Sequence, residues 1–484
     1  MRSLDYMNRV EAYVNRLNSE RRTVLETIPQ VRFLDLMADE LNCNDTTTDC
    51  EEDENKKYGV APNLDAAHTR GYAKRQFVLE DCSNWPVFSC ADTWGGPDYH
   101  GIFAFSVTIT EEMKGRMIGF SLDTGADDIW NTDNPQIMVY VNGVLTCAMD
   151  LNHHEVILSD CAEPGKIYDI RLYAYVNSPG KSNFLYLKVF AKEQEAEALY
   201  YDMKLPLEAA KQMRPEEEKR RKLLELLNQA GDLLDLRVKK SDKYRASLIA
   251  ASEWLKENLY EKEWEIDSPT VYALGHTHID VAWKWPLRQT REKAVRSFST
   301  VLYLMKYRFF LSQPQLYEYV KEEAPEVFEQ VKERVKEGRW EADGAMWLES
   351  DSNLTSGESL IRQILYGEKF FNEEFGIKEQ EILWLPDAFG FFMKKSGIRY
   401  FLTTKMGWND ADQQPDDTFL WEGIDGSRVT GLYITTKNYE AYPERFEKPV
   451  REVTYNGRQN ASQTMGTWQN YRNKELNDAV LTIY

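Results

Sequence analysis

Histidine is scarce in this chain, with six in 484 residues. Cysteine is as scarce and one-sided: Cys43, Cys50, Cys82, Cys90, Cys147 and Cys161 all precede residue 162, and no Cys-x-x-Cys pair occurs. Nothing in this spacing suggests a zinc knuckle, and in a reducing compartment free thiols are expected rather than a disulfide framework. Positive charge is in deficit, 59 Lys plus Arg against 79 Asp plus Glu, for a net charge of -20. Such a balance argues against nucleic acid or an anionic membrane as partner. Long apolar runs are missing too. Met1-Arg2-Ser3-Leu4-Asp5-Tyr6 has no signal-peptide core, and no stretch reaches transmembrane length, so a cytoplasmic setting is expected. Hydrophobic content of 42% with 13% aromatics supports packed cores. A chain of this length exceeds one core, so two or three domains are expected.

Residues 1 to about 40 carry helical spacing, with Met7, Val10, Val14 and Leu17 on one stripe. An acidic stretch around Glu51-Glu52-Asp53-Glu54 then reads as solvated loop. From about 70 to 192 the period changes to two: Phe103, Phe105, Val107 and Ile109 alternate with small and polar residues, and Ile137–Val141 runs into the hairpin signal Asn142-Gly143. The series predicts a β-sandwich, a module that can bind carbohydrate or serve structure alone. Residues 195–262 predict paired amphipathic helices, one striped by Leu223, Leu227 and Ala230, the other by Tyr244, Leu248, Ala251 and Leu255. From 263 onward strands and helices alternate, as a parallel sheet or barrel requires. Polar residues stand near the predicted strand ends: Asp280, Gln313, Glu349, Asp351 and Asp387.

The densest chemistry lies at Gly275-His276-Thr277-His278-Ile279-Asp280-Val281-Ala282-Trp283, directly after the apolar run Thr270–Leu274. Extended backbone would send His276, His278 and Asp280 out of one face at a strand's carboxyl end. Donors of this kind suit zinc or a related divalent ion. A His-x-His-x-Asp pattern alone serves a core equally well. Two of the six histidines fall in this one block, however, and a strand-end aspartate recurs at Asp387 within Pro386-Asp387-Ala388-Phe389-Gly390. Alone, Asp387 reads as a turn or helix-capping residue. Trp347, Glu349, Asp351, Asn353 and Arg362 form a polar and aromatic group suited to a hydroxyl-rich ligand.

Three stretches in register, Gly275–Trp283, Met346–Gln363 and Trp384–Gly390, resemble the α-mannosidases of glycoside hydrolase family 38, in order and spacing those of its bacterial and cytosolic branch. The resemblance implies a retaining, zinc-dependent exo-α-mannosidase that removes terminal α-mannose from oligosaccharides. It implies His278 and Asp280 as metal ligands, Asp387 as both ligand and nucleophile, and Trp283 and Phe389 as walls of the sugar subsite. Trp347, Glu349 and Asp351 are expected to contact the sugar. The fold implied is multidomain: an N-terminal helix and loop (1–69), a β-sandwich (70–194), a helical connector (195–262) and an α/β, (β/α)-barrel-like catalytic domain (263–484). The family takes a further histidine and a Gly-Asp-Gly segment from downstream, and neither follows His278 here. The chain is therefore expected to be the N-terminal portion of a longer enzyme and to hydrolyse little alone. Alternatives are another metal-dependent sugar hydrolase, such as a deacetylase, or a non-catalytic carbohydrate-binding protein. Oligomeric state stays open, a homo-oligomer included.

Overall fold

A strand buried on both faces needs a partner layer on each, and β4 (Tyr99–Thr108) is such a strand, buried at every position from Tyr99 to Phe105. It lies inside a six-stranded antiparallel sheet of order β3-β2-β4-β9-β6-β7. Its neighbours are β2 (Gln30–Asp35) and β9 (Ile167–Val176), with β3 (Val87–Ser89), β6 (Gln136–Val141) and β7 (Val144–Met149) outside them. A second antiparallel sheet runs β1 (Arg22–Ile28), β10 (Tyr186–Lys192), β5 (Met117–Asp123) and β8 (Glu155–Ser159). Phe105 meets Phe120 edge-on between the two sheets, 5.5 Å between ring centroids. The predicted β-hairpin is the β6–β7 turn, with φ of 51° at Asn142 and 83° at Gly143, the twist that joins antiparallel strands tightly.

The computed structural model describes residues 6–37, 78, 80–128, 131–261, 272–352, 354–385, 394–405, 418–433 and 480–483. It divides into two compact units, Met1–Glu265 and Ile266–Tyr484. In the first unit the helical reading of residues 1–40 holds only for α1 (Met7–Glu20). Residues 22–35 form β1 and β2 instead, because distant partners claim them: Arg22 pairs with Lys192, and Phe33 with Phe103. Helix α1 packs with α2 (Gln194–Gln212), α3 (Glu218–Asp232) and α4 (Asp242–Leu255) around Val10, Val14, Leu17, Leu199, Met203, Leu227, Leu248 and Leu255. Both predicted stripes of the connector face this core. Cys82, Cys90, Cys147 and Cys161, the described cysteines, are all free thiols.

The second unit alternates strand and helix. Strands β11 (Tyr272–His276), β12 (Phe309–Leu311), β13 (Trp340–Ala342) and β18 (Val480–Ile483) form a parallel sheet of order β13-β12-β11-β18. A second sheet has β14 (Ile382–Trp384), β15 (Tyr400–Thr403) and β17 (Arg428–Tyr433) parallel, with β16 (Thr418–Glu422) antiparallel at its edge. The helices between them are α5 (Leu287–Leu304), α6 (Pro314–Glu323), α7 (Pro325–Lys336) and α8 (Gly357–Phe375). One helix is expected over 318–337, yet Pro325 starts α7 afresh after Ala324, because proline lacks the N–H that would continue α6. The core is aromatic. Trp340 Nε1 donates to Tyr317 Oη at 2.8 Å, and Tyr317 Oη donates to Leu311 O at 2.8 Å, so these buried polar atoms are partnered as well as packed.

Candidate active site at the strand ends

Strand β11 stops at His276, earlier than the alternating pattern suggests, and the two histidines part company there. His276 turns into the core. Its Nδ1–H donates to Phe310 O at 3.0 Å, and its ring lies edge-on to Trp384 at 4.9 Å. Burial pushes its pKa down to about 3, against the raising effect of that hydrogen bond. It stays neutral and structural.

His278 and Asp280 belong to the loop beyond the strand, and the loop brings them together. His278 Nε2 is 3.4 Å from Asp280 Oδ1. His278 Nδ1 is 3.2 Å from Oε2 of Glu349, which arrives from the segment after β13. His278 and Glu349 are nearly enclosed, 10% and 8% exposed, while Asp280 is 36% exposed and faces outward. The Glu349 carboxylate, in ion-pair range of Nδ1 though not aligned as a hydrogen bond, favours a proton there, which would leave the Nε2 lone pair beside a carboxylate oxygen. Two acceptors facing each other need a cation or a proton in their bite. In a tetrahedral zinc shell with bonds of roughly 2.0–2.2 Å, neighbouring donor atoms stand about 3.4 Å apart. The pair therefore fits one edge of such a shell. Among the described residues, no group of three His, Cys, Asp or Glu side chains completes one. Asp387 and Phe389 lie outside the described residues. The strand leading to them, β14, ends on Trp384 against His276 and Phe310.

Strained backbone marks this region. Ala282, Gln313 and Ala345, one shortly after each of β11, β12 and β13, hold φ of 74°, 68° and 63°, a conformation that costs a non-glycine residue of order 1 kcal/mol or more. Thr290 Oγ1 on α5 supports the first of them, accepting from Ala282 N at 3.0 Å and Trp285 Nε1 at 3.1 Å. Beside it, the indole of Trp283 is 60% exposed and meets Trp285 edge-on at 5.7 Å.

The remaining predicted residues are placed elsewhere. Trp347 donates from Nε1 to Gln315 Oε1 at 3.0 Å and lines a groove of about 350 Å³ with Ser359, Arg362, Gln363 and Tyr366. His278, Asp280 and Glu349 are not among its walls. Asp351 orders the turn before α8, its Oδ1 accepting from Leu354 N at 3.3 Å. Glu349, expected to contact the sugar, lies against His278, a contact no spacing in the sequence signals, and Gln313 is visible in the sequence only as a polar residue between a strand and Pro314.

Comparison with known proteins gives this unit a class to resemble: residues 268–484 match the glycosyl hydrolases family 38 N-terminal domain. More particularly, several similar relatives are named α-mannosidases. Alpha-mannosidase G of Dictyostelium discoideum is 35% identical over 283 residues, 56% of this chain and 25% of that protein. Alpha-mannosidase 2C1 of Mus musculus is 34% identical over 288 residues, 57% of this chain and 27% of that protein. The human protein of the same name is 40% identical over 205 residues, 40% of this chain and 20% of its own. The chain thus spans about a quarter of the length of the curated relatives it matches. A solved family 38 protein from Enterococcus faecalis covers 45% of this chain and 26% of its own at 18% identity and a TM-score of 0.32. No helix among the described residues is long and apolar enough to cross a membrane.

Proposed function

We propose that this chain supplies part of the active site of a retaining, metal-assisted α-mannosidase acting on terminal α-D-mannose of oligosaccharides, with its two C-terminal sheets as arcs of one (β/α)-barrel-like domain. The observation that carries the reading is the His278 Nε2 to Asp280 Oδ1 spacing of 3.4 Å, with His278 backed by Glu349. Carboxylate support of a ligating imidazole fixes its tautomer and raises its basicity. His278 and Asp280 would hold zinc together with Asp387. When bound, the ion would supply Lewis-acid stabilisation to vicinal sugar hydroxyls. Asp387 would attack the anomeric carbon through an oxocarbenium-like transition state as the glycosidic C–O bond breaks and the leaving oxygen takes a proton, water would then displace Asp387 from the glycosyl–enzyme, and the exposed face of Trp283 would stack on the pyranose ring. A cytoplasmic setting is supported by the four free thiols among the described residues.

A second reading is favoured by the same distances: an imidazolium clasped between two carboxylates, binding no metal. Calorimetric titration of the chain with zinc and with cobalt, repeated on Asp280→Asn, separates the two. One tight site that weakens at least ten-fold in the variant is expected. No binding in either protein would leave the clasped imidazolium. Release of nitrophenol from an aryl α-mannoside by the protein that carries this chain, lost on chelation, tests the reaction class.

A further inference from the structure

Gln313 stands between the two loops that meet at His278. It follows β12, is 4% exposed, and sits at φ 68°, ψ 80°. Glycine takes this conformation without strain, whereas a β-carbon pays for it. A glutamine held there against its backbone preference must be kept for its side chain. Both ends of its amide are in use. Nε2 donates to Ile279 O at 3.2 Å, and Oε1 accepts from Glu349 N at 3.3 Å. Ile279 is the residue between His278 and Asp280. Glu349 carries the carboxylate that faces His278 Nδ1. A single side chain thus ties the loop bearing His278 and Asp280 to the loop bearing Glu349. Few alternatives have this chemistry. Glutamate offers oxygen at both ends and would set one against the Ile279 carbonyl; lysine and arginine offer no acceptor for Glu349 N; asparagine is one carbon shorter.

We infer that Gln313 is a positioning residue: its amide sets the spacing between the His278–Asp280 loop and Glu349, which keeps the His278 proton on Nδ1 and turns the Nε2 lone pair toward Asp280. Its consequence for cation binding rests on the function proposed above, but its effect on the His278 ring does not. If the residue served only to turn the chain, glycine would serve at least as well.

The test uses the whole chain labelled with ¹⁵N-histidine. Ring-nitrogen shifts, with His278 assigned through His278→Gln, report its tautomer at a pH where it is neutral. Wild type is expected as the Nδ1–H form. Gln313→Glu and Gln313→Gly are expected to show mixed tautomers and cobalt affinity lower by about ten-fold or more, the loss typical of a removed outer-shell partner. Gln313→Gly, which relieves the backbone, is expected to melt close to wild type, so a global loss of structure would not explain the change. Retention of the wild-type tautomer in the glycine variant overturns the inference, whatever the glutamate variant does. If wild type binds neither zinc nor cobalt but the tautomer shifts with Gln313, the metal reading fails and the positioning role stands. If wild type binds cobalt and both readouts ignore Gln313, the reverse holds.

Discussion

Two opposing effects meet at Gly367, and their sizes decide the outcome of Gly367→Ala. The residue lies inside α8, where alanine improves helix formation by about 1 kcal/mol. Against this, a Cβ built there stands 1.9 Å from Ala345 O and 2.9 Å from the carbonyl carbons of Ala345 and Met346. These are backbone atoms, so no side chain can swing aside. Helix and loop must separate by about an ångström or more, and a radial gap of that order forfeits a quarter to a half of each van der Waals contact across it. The side chains affected are Leu360 and Ile364, which pack with Ala345, Met346, Leu383 and Phe401 in one core. Each buried side chain contributes about 2 kcal/mol, and overpacking strain adds roughly 1–3 kcal/mol. Sterics therefore win, with a net loss of about 2 kcal/mol. For a unit of this size that lowers the melting point by roughly 4–8 °C. The same shift disturbs Trp347 and Leu348, whose backbone N–H groups donate to Gln363 O at 2.8 Å and Gln363 Oε1 at 2.9 Å, so the contact between Glu349 and His278 is expected to loosen as well. Urea unfolding followed by tryptophan fluorescence measures the first effect, with Lys369→Ala on the exposed face of α8 as a control expected within about 0.5 kcal/mol of wild type. An alanine variant more stable than wild type by about 1 kcal/mol would show that propensity governs and that the close approach of helix and loop is wrong.

Other predictions address single interactions. Trp283→Ala is expected to leave stability within about 0.5 kcal/mol, since the indole is largely exposed, while weakening mannoside binding; unchanged affinity by NMR titration would remove Trp283 from the sugar face. Glu374 joins three helices by accepting from Lys321 Nζ at 2.8 Å and meeting Lys332 Nζ at 3.0 Å. Burial works to raise its pKa, but the hydrogen bonds from Lys321 and Lys332 prevail and hold it below the ordinary glutamate value. It therefore stabilises the fold above that ordinary value and loses the contribution as pH falls through its depressed one. Glu374→Gln should cost about 1 kcal/mol at pH 7, with the gap to wild type closing in acid unfolding curves. His153 titrates higher than an ordinary histidine through its hydrogen bond to Asp150, burial opposing. The turn it closes is thus strengthened below the ordinary histidine pKa and weakened as pH rises through the raised one. In Asp150→Asn its NMR titration should return toward the ordinary value, and no change would exclude the pair as the cause.

Features whose cause is local were legible in the sequence. Asn142-Gly143 demands positive φ and made its hairpin. Ser356 caps α8 by accepting from Ser359 N, a bond made between residues three apart. The stripes of α3 and α4 needed only a helical period to predict the face they bury. Where the cause is distant, the same reasoning failed. Residues 22–35 became strands because β10 and β4, far along the chain, offered unpaired edges. The site divides in the same way. A spacing of two brought His278 and Asp280 together, and the resemblance singled them out. The loop beyond β11, not a longer strand, does the converging, and it separates them from His276. That Glu349 faces His278, and that Gln313 ties their loops together, was decided by tertiary structure alone. Residues 34 to 71 positions apart can meet only after the parallel register of β11, β12 and β13 has set their strand ends side by side.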